Sequence, residues 1–98
     1  MSDPAVSICL LTMDLLIPWA QSLKDRRSVV RGLKDRLRSR FNISVAEAGC
    51  QDKWQRATVV VCAVDTDRRR LESTMTRIRR LSEEAQDLEI ADMRQQWL

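Results

Sequence analysis

The chain has 98 residues, enough for one domain over residues 1–98, and a domain this small buries only about two-thirds of its unfolded surface. Hydrophobic residues make up 44% and charged residues 32%, a balance typical of folded domains and not of disordered chains. No apolar run reaches the roughly 18 to 20 residues of a membrane span, and Asp3 and Pro4 stand where a signal peptide is positively charged. We therefore expect a cytoplasmic protein with no membrane contact.

The sequence lacks the residue types that several kinds of catalytic and binding sites require. Histidine and tyrosine are absent, which excludes a Ser-His-Asp triad and the commonest metal ligand. The two glycines, Gly32 and Gly49, form no phosphate-binding loop. Cys9 and Cys62 fall in predicted strands and are expected to be small buried hydrophobes, while a redox role for Cys50 stays open. The sequence predicts no catalytic residue, metal, cofactor or small-molecule substrate.

The first predicted strand covers residues 6–17 and ends at Pro18. Alternation places its apolar residues on two faces. One face carries Cys9, Leu11, Met13, Leu15 and Ile17. The other carries Ile8, Leu10, Thr12, Asp14 and Leu16, and it is more apolar than a solvated face normally is.

A helix is predicted from the N-cap Ser22 to Arg40. Its apolar positions follow helical spacing and are Leu23, Val30, Leu33 and Leu37, leading on to Phe41. Residues 42–48 alternate like a second strand, residues 49–54 are typical of a hairpin connection, and residues 55–64 form a third strand. The continuous apolar run 59–64 indicates a central strand.

Asp67 is the predicted N-cap of a second helix with the apolar row Leu71, Met75, Ile78 and Leu81 or Ser82. A short fourth strand covers residues 88–93 and carries Asp92. The order of elements indicates an α+β, ferredoxin-like β-α-β-β-α-β sandwich. We expect a four-stranded antiparallel sheet of order 4-1-3-2, with both helices on one face.

Five short motifs spread along the chain carry a family resemblance. They are Ile17-Pro18, Ser22-Leu23-Lys24 with Arg27, Phe41-Asn42-Ile43-Ser44-Val45-Ala46-Glu47, Gln51-Asp52, and Trp54-Gln55-Arg56-Ala57. Over roughly residues 8–92 the chain resembles the YlxP-like family, a bacterial family of unknown function. The resemblance implies a ferredoxin-like fold. It also implies ribosomal RNA or a ribosomal subunit as a partner, because genes of this family often lie among those for translation and ribosome-maturation factors. It implies no catalytic residue.

A row of cations is the surface feature that the sequence singles out. Lys24, Arg27, Arg31, Lys34 and Arg38 are spaced three, four, three and four residues apart, which puts them on one side of the first helix. Repulsion along this row opposes folding by roughly 1 to 2 kcal/mol in total. The row therefore predicts an anion-binding surface, and the phosphate backbone of RNA is the natural ligand. The alternative is that the long side chains cover the edge of the core and keep their charges in water.

Other residues near the hairpin suggest a further contact. Trp54 and Arg56 are candidates for stacking on a base or anchoring a protein partner, and covering of the sheet edge is the alternative for Trp54. Trp19 and Trp97 are predicted to be packing residues. The arginines of the second helix scatter around it and are predicted to be solvated.

Two other functions remain open. Ile8, Leu10 and Leu16 would form an apolar patch on the uncovered sheet face, which favours pairing of two sheets back to back in a homodimer. An enzyme is the weakest alternative, because it would rest on carboxylates that helix capping and strand solvation already explain. Those carboxylates are Asp65 with Asp67, and Asp14 with Glu47.

Overall fold

The strands and helices follow the predicted order. The structure is a computed structural model that describes residues 5–49 and 53–98. Its elements are β1 (Ser7–Leu16), α1 (Leu23–Arg40), β2 (Ser44–Ala48), β3 (Arg56–Asp65), α2 (Arg68–Glu83) and β4 (Glu89–Trp97). All paired strands are antiparallel, and the sheet order is β2-β3-β1-β4, which is the predicted order counted from the opposite edge. The predicted α+β fold is confirmed.

The core lies between one face of the sheet and the two helices. Every second residue of β1 and β3 is buried there, as strand alternation requires. From Cys9 to Ile17 on the first strand, the face predicted to be buried is at most 1% exposed. The helices cover this face with Val29, Val30, Leu33 and Leu37 of α1 and with Leu71, Met75 and Ile78 of α2.

Both predicted helix caps are present. The Ser22 hydroxyl accepts a hydrogen bond from the Asp25 backbone N–H at 3.1 Å, and the Asp67 carboxylate accepts one from the Arg70 N–H at 3.1 Å. These bonds satisfy N–H groups that have no partner within their own helix. Ser82, and not Leu81, completes the buried row of α2, where its hydroxyl donates to the Ile78 carbonyl at 2.9 Å.

The fourth strand is longer than predicted, since it extends to Trp97 and not only to residue 93. Its second half is polar and carries no strand signal of its own. The ten-residue β1 supplies the partners instead, and pairing continues as far as Cys9 opposite Trp97. A long neighbouring strand therefore overrides a weak local preference.

Of the two cysteines and two tryptophans predicted to pack in the core, one of each kind does so and the other does not. Cys9 is buried, and desolvation raises the pKa of its thiol. Cys62 lies on the other sheet face and is only half-buried, so its prediction as a core residue is wrong, because the alternation of β3 turns it away from the helices. Trp97 packs against the core, whereas Trp19 is 51% exposed and is not a packing residue.

Cys50 lies outside the described residues. Neither of the two described helices is long and apolar enough to cross a membrane.

Candidate nucleic-acid interface

Five cations line one side of α1, and we call them the basic row: Lys24, Arg27, Arg31, Lys34 and Arg38. The side of α1 that faces the sheet is formed by residues 23, 26, 30, 33 and 37, which we call the seam. Each cation of the basic row lies one position after a seam residue. The row therefore runs beside the core and not into it. Four of its side chains are exposed and Lys34 is half-buried.

The basic row borders the edge strand β2, to which α1 runs antiparallel. Arg26 near the start of α1 contacts Glu47 of β2, and Arg38 near its end donates from Nη2 to the Val45 carbonyl at 3.1 Å. A shallow groove of about 290 Å³ lies between helix and strand. Its charged lining residues are Arg27, Arg31, Lys34, Asp35, Arg38 and Glu47.

Most of the basic row has no acidic partner in the part of the chain that the structure describes. Within residues 5–49 and 53–98, no carboxylate lies at salt-bridge distance from Lys24, Arg27, Arg31 or Lys34. The groove contains two carboxylates, but that of Glu47 is already bound by a buried arginine. The groove is therefore cationic, and its charges are available to an external anion.

The arginines of α2 behave differently. Four of them hold a carboxylate, an amide or an aromatic ring of the protein itself. Arg68 lies 3.7 Å from the Trp97 ring centre and also contacts Glu72, Arg70 pairs with Asp65, Arg77 lies over Phe41, and Arg79 donates to Gln95. The charge of α2 thus serves mainly its own fold, whereas that of the basic row does not.

A buried arginine that sequence reasoning missed fastens α1 to the hairpin between β2 and β3. Arg26 is 1% exposed; its Nη2 lies 2.6 Å from a carboxylate oxygen of Glu47, and its Nε donates to the Arg56 carbonyl at 2.7 Å. One guanidinium thus connects a helix to two strands. This contact sets where the first half of the basic row stands relative to the edge strand.

The spacing of the seam could have predicted that Arg26 is buried. Apolar residues at 23, 30, 33 and 37 leave a gap at 26, which the three-four spacing assigns to the buried side of the helix. A cation in a core position requires a buried acidic partner. Glu47, the fourth residue of β2, is that partner.

Trp54 and Arg56 lie at the end of the sheet where α1 begins. Trp54 is 50% exposed, so covering of the sheet edge accounts for only part of its surface. With Lys53 and Arg56 it lines a hollow of about 680 Å³. The structure thus brings Trp54 and Arg56 together, at the end of the sheet where the basic row starts.

The residues predicted to self-associate lie on the uncovered sheet face, but they do not form one patch. Ile8 pairs with Val64, which is 55% exposed, and Leu10 pairs with Cys62. Leu16 lies about 20 Å further along β1 from Leu10 and lines the hollow beside Trp54. Thr12 and Asp14 separate the two ends.

The carboxylates considered for catalysis all have partners within the protein. Asp65 accepts two hydrogen bonds from Arg70, and Asp67 caps α2. Asp14 accepts from Thr58 and Arg94, and the Arg94 bond is the main reason that the Asp14 pKa is lowered. Among the described residues no group of three or more Cys, Asp or Glu side chains is placed to hold a metal ion.

Comparison with known proteins gives a family for the chain. Residues 8–95 match the model of a family described as protein of unknown function DUF503. The chain belongs to the DUF503 family. An uncharacterized protein YlxP from Bacillus subtilis (strain 168) is 32% identical over 84 residues, which cover 86% of this chain and 91% of that protein. Membership of DUF503 confirms the resemblance noted in the motifs, and the match includes the basic row, Arg26 and the hairpin residues Trp54 and Arg56.

Proposed function

We propose that this DUF503 protein is a non-enzymatic, cytoplasmic module that binds the phosphate backbone of RNA, on the ribosome or free, through the basic row of α1. The observation that carries the proposal is that Lys24, Arg27, Arg31 and Lys34 have no acidic partner among the described residues, in a protein whose α2 arginines are mostly engaged. Repulsion among these cations costs stability in the free protein. Phosphates placed along the row would relieve it.

The dimensions of the row suit a polyanion. Arg38 lies fourteen positions after Lys24, and at a rise of 1.5 Å per position the row spans about 21 Å. A ligand that contacts the whole row must carry several negative charges in series, as a nucleic-acid backbone does. Displacement of its counterions supplies affinity that is tolerant of sequence and sensitive to salt.

The test is retention of RNA or ribosomal subunits by the purified protein over a salt series, compared with the variant R27Q/R31Q/K34Q. Loss of three phosphate contacts should reduce the slope of log affinity against log salt by about 2 to 3. A matched variant, R69Q/R77Q/R80Q, removes the same charge from α2 and should leave the slope nearly unchanged. Equal effects of the two variants, or no retention by the unaltered protein, would refute the proposal.

A second candidate is self-association through the uncovered sheet face. The observation that favours it is the exposed apolar surface at one end of that face, where Ile8, Leu10, Val60 and Val64 lie side by side. A second copy related by a two-fold axis would cover this surface with the same residues. The particle mass in solution tests it. Binding of RNA and pairing of sheets use opposite sides of the molecule and are compatible.

A further inference from the structure

The hollow of about 680 Å³ lies between the β2–β3 hairpin and the segment that joins β1 to α1. It is lined by Leu16, Pro18, Lys53, Trp54, Gln55 and Arg56. Its volume is within the range of small-ligand sites in proteins, which is about 300 to 1,000 Å³. The basic row does not include any of these residues.

Hydrogen bonds fix the walls of the hollow. The Gln55 side-chain amide donates to the carbonyls of Pro18 at 3.2 Å and Ala20 at 3.3 Å, and the Ile17 N–H donates to the Gln55 carbonyl at 2.9 Å. On the other side the buried Arg26 holds the Arg56 carbonyl. These bonds order the part of the wall that Pro18, Gln55 and the Arg56 backbone form, which lowers the entropic cost of binding there.

The lining has two kinds of surface. Trp54 supplies a half-exposed indole ring, Leu16 and Pro18 supply further apolar surface, and Lys53 and Arg56 supply positive charge. None of the described lining residues is acidic. A ligand that satisfies both surfaces has a flat ring joined to an anion. A nucleotide has this construction, with a base that stacks on the indole and a phosphate that meets the cations.

We propose that the hollow binds one unpaired nucleotide of a single-stranded RNA, with its base on Trp54 and its phosphate on Lys53 and Arg56. This site deepens the proposed function and rests on it, because the hollow lies at the end of the sheet where α1 and its basic row begin. The basic row holds backbone phosphates of any strand. The hollow adds a preference for strands whose bases are free to stack.

Trp19 provides a matched control within the same molecule. It is 51% exposed, against 50% for Trp54. Its indole N–H donates to the Asp87 carbonyl at 2.9 Å, and it lines a depression that also contains Asp87 and Glu89. The two tryptophans thus have nearly equal exposure, but Trp54 lies among cations and Trp19 beside two carboxylates, one of which pairs with Arg36, so only Trp54 should meet RNA.

The experiment measures the affinities of the full-length protein for three probes: an unstructured 12-nucleotide RNA, a 12-base-pair RNA duplex and a nucleoside monophosphate. The variant W54L should bind the single strand roughly 5- to 150-fold more weakly, the effect expected for loss of one base stacked on an aromatic ring. Its affinity for the duplex should not change, because duplex bases are stacked on one another. W19L should bind both RNAs like the unaltered protein.

A second variant, K53Q/R56Q, keeps the indole and removes the two charges. It should weaken single-strand binding and reduce its dependence on salt, while quenching of tryptophan fluorescence by the bound strand persists. In W54L that quenching should disappear. Thermal unfolding of each variant identifies any that fail to fold, and the other variant then carries the test.

The outcomes separate the two proposals. If the unaltered protein binds neither RNA, the proposed function fails, and the nucleotide site fails with it. If it binds both RNAs and R27Q/R31Q/K34Q weakens both, but W54L and W19L act alike, only the nucleotide site fails. A monophosphate bound as tightly as the 12-nucleotide strand would also overturn it, because the ligand would then be a free nucleotide and not a strand.

Discussion

Arg26 ties α1 to the hairpin between β2 and β3. Its guanidinium is buried, pairs with Glu47 and also holds the Arg56 carbonyl. Such a pair adds little stability compared with apolar residues of similar volume, because both charges lose their hydration. Removal of one partner is different, since it leaves the other charge buried and uncompensated. Arg26 thus links the helix that bears the basic row to the hairpin that bears the hollow.

We predict that R26M lowers the free energy of unfolding by about 3 kcal/mol, because Glu47 then lacks its cation in a largely buried position. R26K should also be destabilising, since an ammonium cannot reproduce two directed bonds from one planar group. R26M/E47Q should recover part of the loss, because no buried charge remains. Urea unfolding of the three variants measures these differences.

The neighbouring residue provides the control. Arg27 is exposed on the next position of α1, so R27M should change the free energy of unfolding by no more than about 0.5 kcal/mol. Equal losses in R26M and R27M would show that the pair with Glu47 does not hold α1 in place.

At the scale of elements, α1 carries two rows of residues with different surroundings, one position apart along the helix. The seam at residues 23, 26, 30, 33 and 37 joins the core, and the basic row one position later faces the groove beside β2. A rotation of the helix by a fraction of a turn would bury charges and expose leucines. The packing of the seam therefore also fixes the direction in which the cations point.

The start of α2 is held by the ion pair of Asp65 with Arg70, whose strength depends on pH. Asp65 accepts from Arg70 at 2.7 and 2.6 Å and from the Asp67 N–H at 3.0 Å. The bond from Arg70 is the largest cause that lowers the Asp65 pKa from 3.8 to about 2. A carboxyl whose pKa is lowered by folding stabilises the folded state above its unfolded pKa, and this contribution disappears as the pH falls through the folded value.

We therefore predict that D65N removes part of the loss of stability that the protein shows between about pH 4 and pH 2. Because the Arg70 side chain of this pair is 62% exposed, the effect should be small and weaker at high salt. R70Q should reduce the slope of the unfolding free energy against pH in the same range, and D65N/R70Q should reduce it no further. Urea unfolding across this range measures the slopes. A D65N slope equal to that of the unaltered protein would contradict the assignment.

At the scale of the whole molecule, the two faces of the sheet have different surroundings. The helices cover most of one face, where Ile90, Met93 and Trp97 of β4 stay partly exposed, and the other face has no covering element among the described residues. That open face is apolar where Ile8 lies opposite Val64 and charged where Arg94 bridges Asp14 and Asp92. The bridge matters because Asp14 and Asp92 are directly opposed across two strands and would otherwise repel each other.

If the apolar end of this face pairs two copies, the protein should sediment as a dimer at high concentration and dissociate on dilution. V64K places a charge within the exposed patch and should keep the protein monomeric, because a buried unpaired charge is costly. Its RNA affinity should remain, since the basic row lies on the helical side. A monomer at every concentration would rule out the interface.

The predictions that succeeded from sequence were those with a strong local period or cap. The alternation of β1, the seam of α1 and the capping residues Ser22 and Asp67 each reflect contacts within a few residues, so their outcome needs no knowledge of the fold. The basic row belongs to the same class, because spacing along a helix alone puts its members on one side. Its binding partner stays a prediction.

The features that sequence reasoning missed depend on contacts between distant elements. The length of β4 is decided by β1, more than 70 residues away, since a polar run becomes a strand only beside a partner of sufficient length. The partner of Arg26 and the walls around Trp54 come from segments that meet only in the folded chain. Hydrophobic period and capping thus determined the elements, while tertiary packing alone decided which charges are buried in pairs and which stay exposed to a ligand. The physical reason is that desolvation of a charge depends on everything packed around it, and not on its neighbours in sequence.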